Sequence, residues 1–320
     1  MDIVVFGAGS LGSLVGGLLA REHAVTLVGR DPHVTAVRES GLQVRGVDAG
    51  PNGRSADDAD ESSVAVAPAA TTDGTVLRAD LAVVTVKAFD TEAAARDLAS
   101  GEFDAVLSLQ NGMGNEATLA EHLDCPVLAG TATYGAILLD PGVVECTGVG
   151  EVVLGARDGG SSEHAERVGD AFRAGGIETT VAEDVPRRLW EKLAVNAGIN
   201  ATTALARADN GALQTGAART VAADAARETA RVARAEGVPL ADEQAVAAVE
   251  AVASATAANV SSMRQDVEGG RRTEVDAING YVVARGREHD RATPVNRTLA
   301  GLIRTWEREN VGGDATGPDG

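Results

Sequence analysis

Ile3-Val4-Val5-Phe6 is a short β-rich apolar run that breaks into glycines, and apolar positions at helical spacing then predict a helix from Leu11 to about Glu22. Val25–Val28 predicts the next strand and Val34–Ser40 the next helix. Leu81–Val86 and Ala105–Leu109 are continuous apolar runs, the pattern of parallel strands buried on both faces. Pro126–Ala129, Gly148–Leu154 and Glu178–Val181 predict later strands of the same domain. Strands alternating with helices in this way specify an α/β domain built on a doubly wound sheet. The polar stretch from Asp48 to Ser63 reads as a solvated surface insertion without function of its own.

The pattern changes near Asp184, where β-rich runs stop and Ala, Arg, Glu and Asp take over at helical spacing. Ala217–Glu236, Asp242–Ala258, Glu274–Glu288 and Val295–Asn310 predict helices. Residues 312–320 are too polar to pack. The expected plan is therefore an α/β domain over 1–183, an all-α domain over 184–311 and a flexible tail over 312–320. Ile3–Ala20 carries no charge, but five glycines and the lack of a basic flank argue for strand, turn and helix over a membrane or signal segment.

Composition narrows the class. Hydrophobic residues make up 44 % and charged residues 23 %, which is globular. With 28 Lys+Arg against 47 Asp+Glu, the formal charge of −19 argues against nucleic-acid binding, which needs a basic footprint. Two cysteines, Cys125 and Cys146, are too few for a secreted disulfide framework, so a cytoplasmic protein is expected. Only Lys87 and Lys192 are lysines, and arginine supplies the other basic residues. An acidic, Lys-poor surface is halophilic in character, since molar salt shortens the screening length to about 3 Å and makes self-repulsion tolerable.

The candidate chemistry begins at Gly7-Ala8-Gly9-Ser10-Leu11-Gly12, a G-x-G-x-x-G turn directly after a strand and opening a helix. The first glycine permits the tight turn, the second lets the backbone approach a pyrophosphate, and the third lets helix and strand pack closely. The second strand ends Val28-Gly29-Arg30, with a guanidinium where an acid would bind a ribose 2′-hydroxyl. That favours NADP(H), although Asp31 follows at once and tempers the inference, with a surface arginine as the alternative. Lys87 and Asn111 lie in motifs at the carboxyl ends of buried strands, the edge that lines ligand crevices in such sheets. Lys192, Asn196 and Asn200, at i, i+4 and i+8, form one polar stripe on an apolar helix, either a wet pocket or an internally bonded interface. Ser262 with Gln265 has capping-box spacing, and Glu274 suits a first helical turn, so both have structural readings. No Cys/His cluster has metal-ligand spacing and no Ser/His/Asp triad is visible, so no metal is expected.

Together G-A-G-S-L-G, V-K-A-F-D-T, L-Q-N-G-M-G, W-E-K-L-A-V-N-A-G-I-N, N-V-S-S-M-R-Q-D and T-E-V-D-A-I-N-G resemble the ketopantoate reductase family, from Met1 to about Asn310. The insertion after Asp48 departs from compact members but touches no motif. The resemblance implies an N-terminal Rossmann-type domain, an all-α C-terminal domain and substrate held in the cleft between them. It implies NADPH-dependent reduction of 2-dehydropantoate to pantoate, on the way to pantothenate and coenzyme A. By it, Lys192 matches the general acid and Glu274 a carboxylate that tunes the site. Lys87 and Asn111 match residues near nicotinamide and substrate. Asn196, Asn200, Asn210, Asn259 and Ser262 match polar groups that hold the substrate's hydroxyl and carboxylate. Rival readings are a reductase of another small 2-oxo acid, a 6-phosphogluconate-type dehydrogenase, for which no phosphate site is found, and a non-catalytic NADP(H)-sensing module. Lys192 and Glu274 in matching contexts argue against the sensor. A homodimer is the default assembly.

Overall fold

A computed structural model of the chain describes residues 1–47 and 63–311. The expected insertion, apart from Ser63, and the expected tail lie outside the described residues. The chain divides into two compact units: Met1–Gln110 with Asn115–Val185, and Asn111–Gly114 with the chain from Pro186 onward.

In the first unit the order is β1 (Asp2–Phe6), α1 (Ser10–Leu19), β2 (Ala24–Val28), α2 (His33–Ser40), β3 (Leu42–Arg45), β4 (Ser63–Val66), β5 (Ala69–Thr71) and β6 (Arg78–Val84). Then come α3 (Thr91–Leu98), β7 (Glu102–Ser108), α4 (Asn115–His122), β8 (Val127–Ala132), β9 (Gly135–Asp140), β10 (Val143–Gly148), β11 (Val152–Ala156), α5 (Glu163–Ala174) and β12 (Thr179–Val181). Eight strands form the main sheet in the order β12-β11-β8-β7-β6-β1-β2-β5, parallel except between β8 and β11. β1 lies between β2 and β6, with Ile3 beside both Val25 and Leu81. Alternate residues feed two cores. Ile3, Val5, Leu81 and Val83 pack with Leu14 and Leu18 of α1 and Phe172 of α5. Val4, Phe6, Ala82 and Val84 pack with Leu98 of α3 and Leu119 of α4. Helices on both faces explain why these strands read as unbroken apolar runs.

A second sheet, ordered β4-β3-β10-β9, was not expected. Its strands are short and bury mainly one face, as in β3 with Leu42 and Val44 buried and Gln43 and Arg45 half-buried. They therefore lack the continuous apolar signature. The expected strand Gly148–Leu154 is corrected: β10 ends at Gly148, β11 starts at Val152, and the two belong to different sheets. At the crossing Val149 is exposed, and a Cβ on Gly150 would lie 2.5 Å from the Thr133 carbonyl carbon, so the chain passes there too close to Thr133 for a side chain.

The second unit is helical: α6 (Val185–Ala206, starting in the first unit), α7 (Gly216–Ala235), α8 (Asp242–Ala255), α9 (Ser262–Glu268), α10 (Tyr281–Glu288) and α11 (Pro294–Asn310). Its core is alanine-rich, with Ala222, Ala225, Ala226, Ala230 and Ala233 of α7 all buried. Buried Glu228 of α7 serves α11: its carboxylate accepts the Val295 and Asn296 backbone N–H groups at 2.9 and 3.0 Å. Those are orphan donors of a helix start whose own first residue is Pro294. The expected single helix Glu274–Glu288 is also corrected: a π turn over Asp276–Gly280 precedes α10. Within it the buried Asn279 amide donates to the Ala197 carbonyl of α6 and to Asn296 Oδ1, at 3.0 and 2.9 Å. A widened turn of this kind recurs at functional sites.

Candidate active site

The glycine turn divides its labour. Gly7 and Ala8 donate their N–H groups inward to the Val28 carbonyl at 2.9 and 2.8 Å, tying β1 to β2. Gly7 has φ +114°, and a Cβ there would lie 2.6 Å from Val86 N; one on Gly12 would lie 2.2 Å from the Gly7 oxygen. At Gly9 a Cβ would meet nothing within 4 Å among the described residues beyond its own local chain. Gly9 is the N-cap of α1, so the N–H groups of Ser10, Leu11 and Gly12 precede the first intrahelical acceptor. Open space beside those donors and the positive helix end suits a pyrophosphate. The Ser10 hydroxyl accepts from Leu138 N of β9 at 3.1 Å, so this residue also anchors the second sheet. Arg30 follows β2, and its guanidinium stands 3.1 Å from the Asp90 carboxylate.

Lys87, half-buried, leads the 3₁₀ turn Ala88–Asp90 after β6. A buried relay fixes that turn. Gln110 Nε2 donates to the Val86 carbonyl at 3.0 Å and to Thr91 Oγ1 at 2.7 Å, and Thr91 Oγ1 donates to Asn115 Oδ1 at 2.8 Å. Sequence reasoning gave Gln110, Thr91 and Asn115 no role. The available signal was polar residues beside apolar strands, which need partners. Below α1, buried His33 bridges Ser13 Oγ and Gly142 N, both at 3.0 Å, and burial pushes its pKa down. Accepting from Gly142 at Nδ1 fixes the neutral ring with its proton on Nε2, facing Ser13.

In the helical unit, Lys192, Asn196 and Asn200 share one face of α6. The first two are half-buried and Asn200 is 6 % exposed. Among the described residues neither asparagine amide has a side-chain hydrogen-bond partner. Neither amide is among the buried polar atoms without a partner, so both still reach solvent and their hydrogen-bonding capacity is open to water or to a ligand.

Asn111–Gly114 joins the π turn. Met113 N donates to the Ala277 carbonyl at 3.0 Å, and a Cβ on Gly112 (φ +81°) would sit 2.5 Å from Ala277 Cβ. The buried Glu274 opens that turn, its carbonyl accepting from Ala277 N and Ile278 N, both at 3.1 Å. Thr273 beside it is clamped to Glu307 Oε1 by its backbone N–H and hydroxyl at 2.6 and 2.7 Å. Tyr281, which follows the turn, meets Trp190 of α6 with ring centroids 5.9 Å apart. Tertiary structure thus gathers the Asn111 segment, Glu274 and α6, which lie far apart in sequence.

Asn210 and Asn259 also meet. Asn210 N donates to the Asn259 carbonyl at 3.1 Å, and Asn210 Nδ2 donates to Thr256 Oγ1 at 2.9 Å. Among the described residues Asn210 Oδ1 is buried without a partner, leaving an acceptor, while the Asn259 side chain is exposed. The capping box at Ser262 is corrected. Ser261 is the N-cap of α9, accepting from Arg264 N at 3.3 Å, and Ser262 is the exposed first helical residue. Ser261 Oγ lies 2.7 Å from Thr203 Oγ1 on α6, so the neighbouring serine is the one tied to that helix. Among the described residues no group of three or more His, Cys, Asp or Glu is placed to hold a metal ion, and no helix is long and apolar enough to cross a membrane.

A doubly wound sheet with a glycine turn closing β1, joined to a helical unit with a lysine–asparagine stripe, defines a Rossmann-type nicotinamide-dinucleotide oxidoreductase. The chain belongs to the ketopantoate reductase family: residues 3–159 match Ketopantoate reductase PanE/ApbA, and residues 184–307 match its C-terminal part. A 2-dehydropantoate 2-reductase of Halobacterium salinarum is 49 % identical over 314 residues, spanning 97 % of this chain and 100 % of that one. The crystal structure of a PanE/ApbA family ketopantoate reductase from Ralstonia eutropha JMP134 superposes with a TM-score of 0.85 at 33 % identity, covering 97 % of this chain and 99 % of that one. A ternary structure of D-mandelate dehydrogenase with NADH and anilino(oxo)acetate has the same TM-score of 0.85 at 25 % identity, with the same 97 % and 99 % coverage. The halophilic composition agrees with the Halobacterium relative.

Proposed function

We propose that the protein is a cytoplasmic NADPH-dependent 2-dehydropantoate 2-reductase, with residues 1–183 binding the nucleotide and 184–311 supplying the substrate groups. The observation that carries this reading is the α6 stripe, where Lys192 shares a face with two amides that have no partner among the described residues. A 2-oxo acid offers the groups such a face requires: a ketone oxygen for the ammonium, and carboxylate and hydroxyl oxygens for the amides. When bound, the reduced nicotinamide supplies a hydride to the ketone carbon. Lys192 gives a proton from Nζ to the ketone oxygen as alkoxide charge develops, and the proton is then restored from solvent. Glu274 positions and tunes that site. Gly7–Gly12 seat the pyrophosphate, Arg30 meets the 2′-phosphate, and Lys87 and Asn111 orient the nicotinamide and substrate. Asn196, Asn200, Asn210 through Oδ1, Asn259 and Ser262 hold the substrate's polar groups.

The D-mandelate dehydrogenase neighbour supports a second reading, a reductase of a different 2-oxo acid using NADH. NADPH and NADH oxidation followed across a panel of 2-oxo acids separates the two. Highest kcat/KM with 2-dehydropantoate and NADPH is expected, and a higher value for another acid would replace this assignment.

A further inference from the structure

Arg30 follows β2 and Asp90 ends the 3₁₀ turn after β6. β2 and β6 flank β1, the strand that runs into the glycine turn, so both residues stand at the carboxyl edge of the sheet beside that turn. The guanidinium Nη2 and the Asp90 Oδ2 are 3.1 Å apart, with the Arg30 side chain 87 % exposed and that of Asp90 35 % exposed. Packing therefore does not hold the guanidinium; Asp90 does. In sheets of this type the end of the second strand carries either an acid for a ribose 2′-hydroxyl or an arginine for a 2′-phosphate. Here the arginine stands on the strand, and a carboxylate is delivered to the same spot by another element.

We propose that Asp90 is a specificity-determining residue that weakens the preference for NADPH over NADH which Arg30 alone would confer. This rests on Arg30 meeting the 2′-position of the adenosine ribose. A ribose hydroxyl can donate to Asp90 with the ion pair intact. A 2′-phosphate must draw Arg30 away and leaves two anions side by side. The pair also sets the salt response. Arg30 and Asp90 sum to zero charge, so the ratio of the two affinities changes little with ionic strength. An arginine without Asp90 would attract the phosphate by an amount that screening removes.

The test measures NADPH and NADH dissociation constants, by nicotinamide fluorescence on the full chain, for wild type, Asp90→Asn and Arg30→Ala, at about 0.5 M and about 3 M KCl. Asp90→Asn is expected to raise the NADPH/NADH affinity ratio roughly fivefold at the lower salt, the scale of one exposed charge contact. That gain should shrink at the higher salt, while the wild-type ratio stays nearly flat. Arg30→Ala should lower the ratio at both. If Arg30→Ala lowers the ratio and Asp90→Asn leaves it unchanged, the role of Asp90 is overturned and the reading of Arg30 stands. If Arg30→Ala weakens both cofactors equally, the reading of Arg30 falls and the proposal falls with it.

Discussion

At Gly7 and Gly12 the chain needs the absence of side chains. A Cβ at either would lie 2.6 or 2.2 Å from neighbouring backbone atoms, so the turn is dictated by how closely main chain meets main chain. On α6 the reverse holds. Asn196 and Asn200 are polar side chains with no side-chain partner among the described residues, on a helix otherwise packed with Leu193, Ala194, Ala197 and Ile199. The first region is structurally saturated and contributes the geometry of its backbone. The second is structurally incomplete and contributes unmet hydrogen-bonding capacity. The two should therefore respond to mutation in opposite ways, stability being lost with function at Gly7 and Gly12 and held apart from it on the helix.

The largest effect is expected at Lys192. Lys192→Ala and Lys192→Arg should each lower kcat by about 100-fold or more, the scale of general-acid loss, because arginine keeps its proton. Near-normal kcat in Lys192→Arg at saturating substrate and NADPH would remove the proton-donor assignment. Next come the glycines. Gly12→Ala should lose about 1–3 kcal/mol of stability through overpacking, read as a fall in Tm. Gly9→Ala, whose Cβ meets nothing among the described residues beyond its own local chain, should keep the wild-type Tm and bind dinucleotide at least tenfold more weakly. A drop in Tm at Gly9 would show that the open space beside it serves the fold.

Asn200→Leu tests the helix directly. Replacing an unbonded amide with an apolar group of similar size should leave Tm unchanged or raised, while the substrate KM rises roughly tenfold. A Tm fall of several degrees with KM unchanged would mean the amide serves packing.

The smallest expected effects separate the two units by pH. His33 in the sheet unit has its folded pKa lowered by burial, so its contribution to stability is complete above about pH 6.5 and declines as pH falls through the lowered value. Glu236, just beyond α7, has its carboxyl pKa lowered by the hydrogen bond from Arg285 and then by His289. Its contribution is complete above the ordinary carboxylate range and is lost only as pH falls below it. Amide exchange should thus show the β9–β10 turn around Gly142 loosening as pH falls below about 6.5, ahead of the α7–α10 contact. His33→Asn should flatten the first step alone, and simultaneous loosening of both regions would contradict this order.

The turn at Gly7–Gly12, the doubly wound sheet and the α6 stripe were all legible in the sequence, because each rests on a local rule. The spacing of three glycines within six residues wrote the first, although at Gly7 the backbone that forbids a side chain is Val86 of a distant strand end. Burial on both faces wrote the second, and helical spacing of three polar residues wrote the third. Pairing between distant segments wrote no such signal. The second sheet brings β3 beside β10 across about a hundred residues, and neither strand has an apolar run long enough to show it. Ser261 and not Ser262 became the cap of α9 because Ser261 reaches Thr203 on another helix, a choice the local spacing of serines could not make. The π turn after Glu274 exists where Asn279 reaches into α6 and α11, and the Asn111 segment docks on it. The Arg30–Asp90 pair joins residues 60 apart, and spatial neighbours of that kind are set by strand order alone. Sequence by itself determined which groups the protein carries and on which element each one lies. Tertiary structure decided which of them spend their hydrogen bonds on the fold and which leave them open, because a side chain's partners are fixed only when distant elements pack.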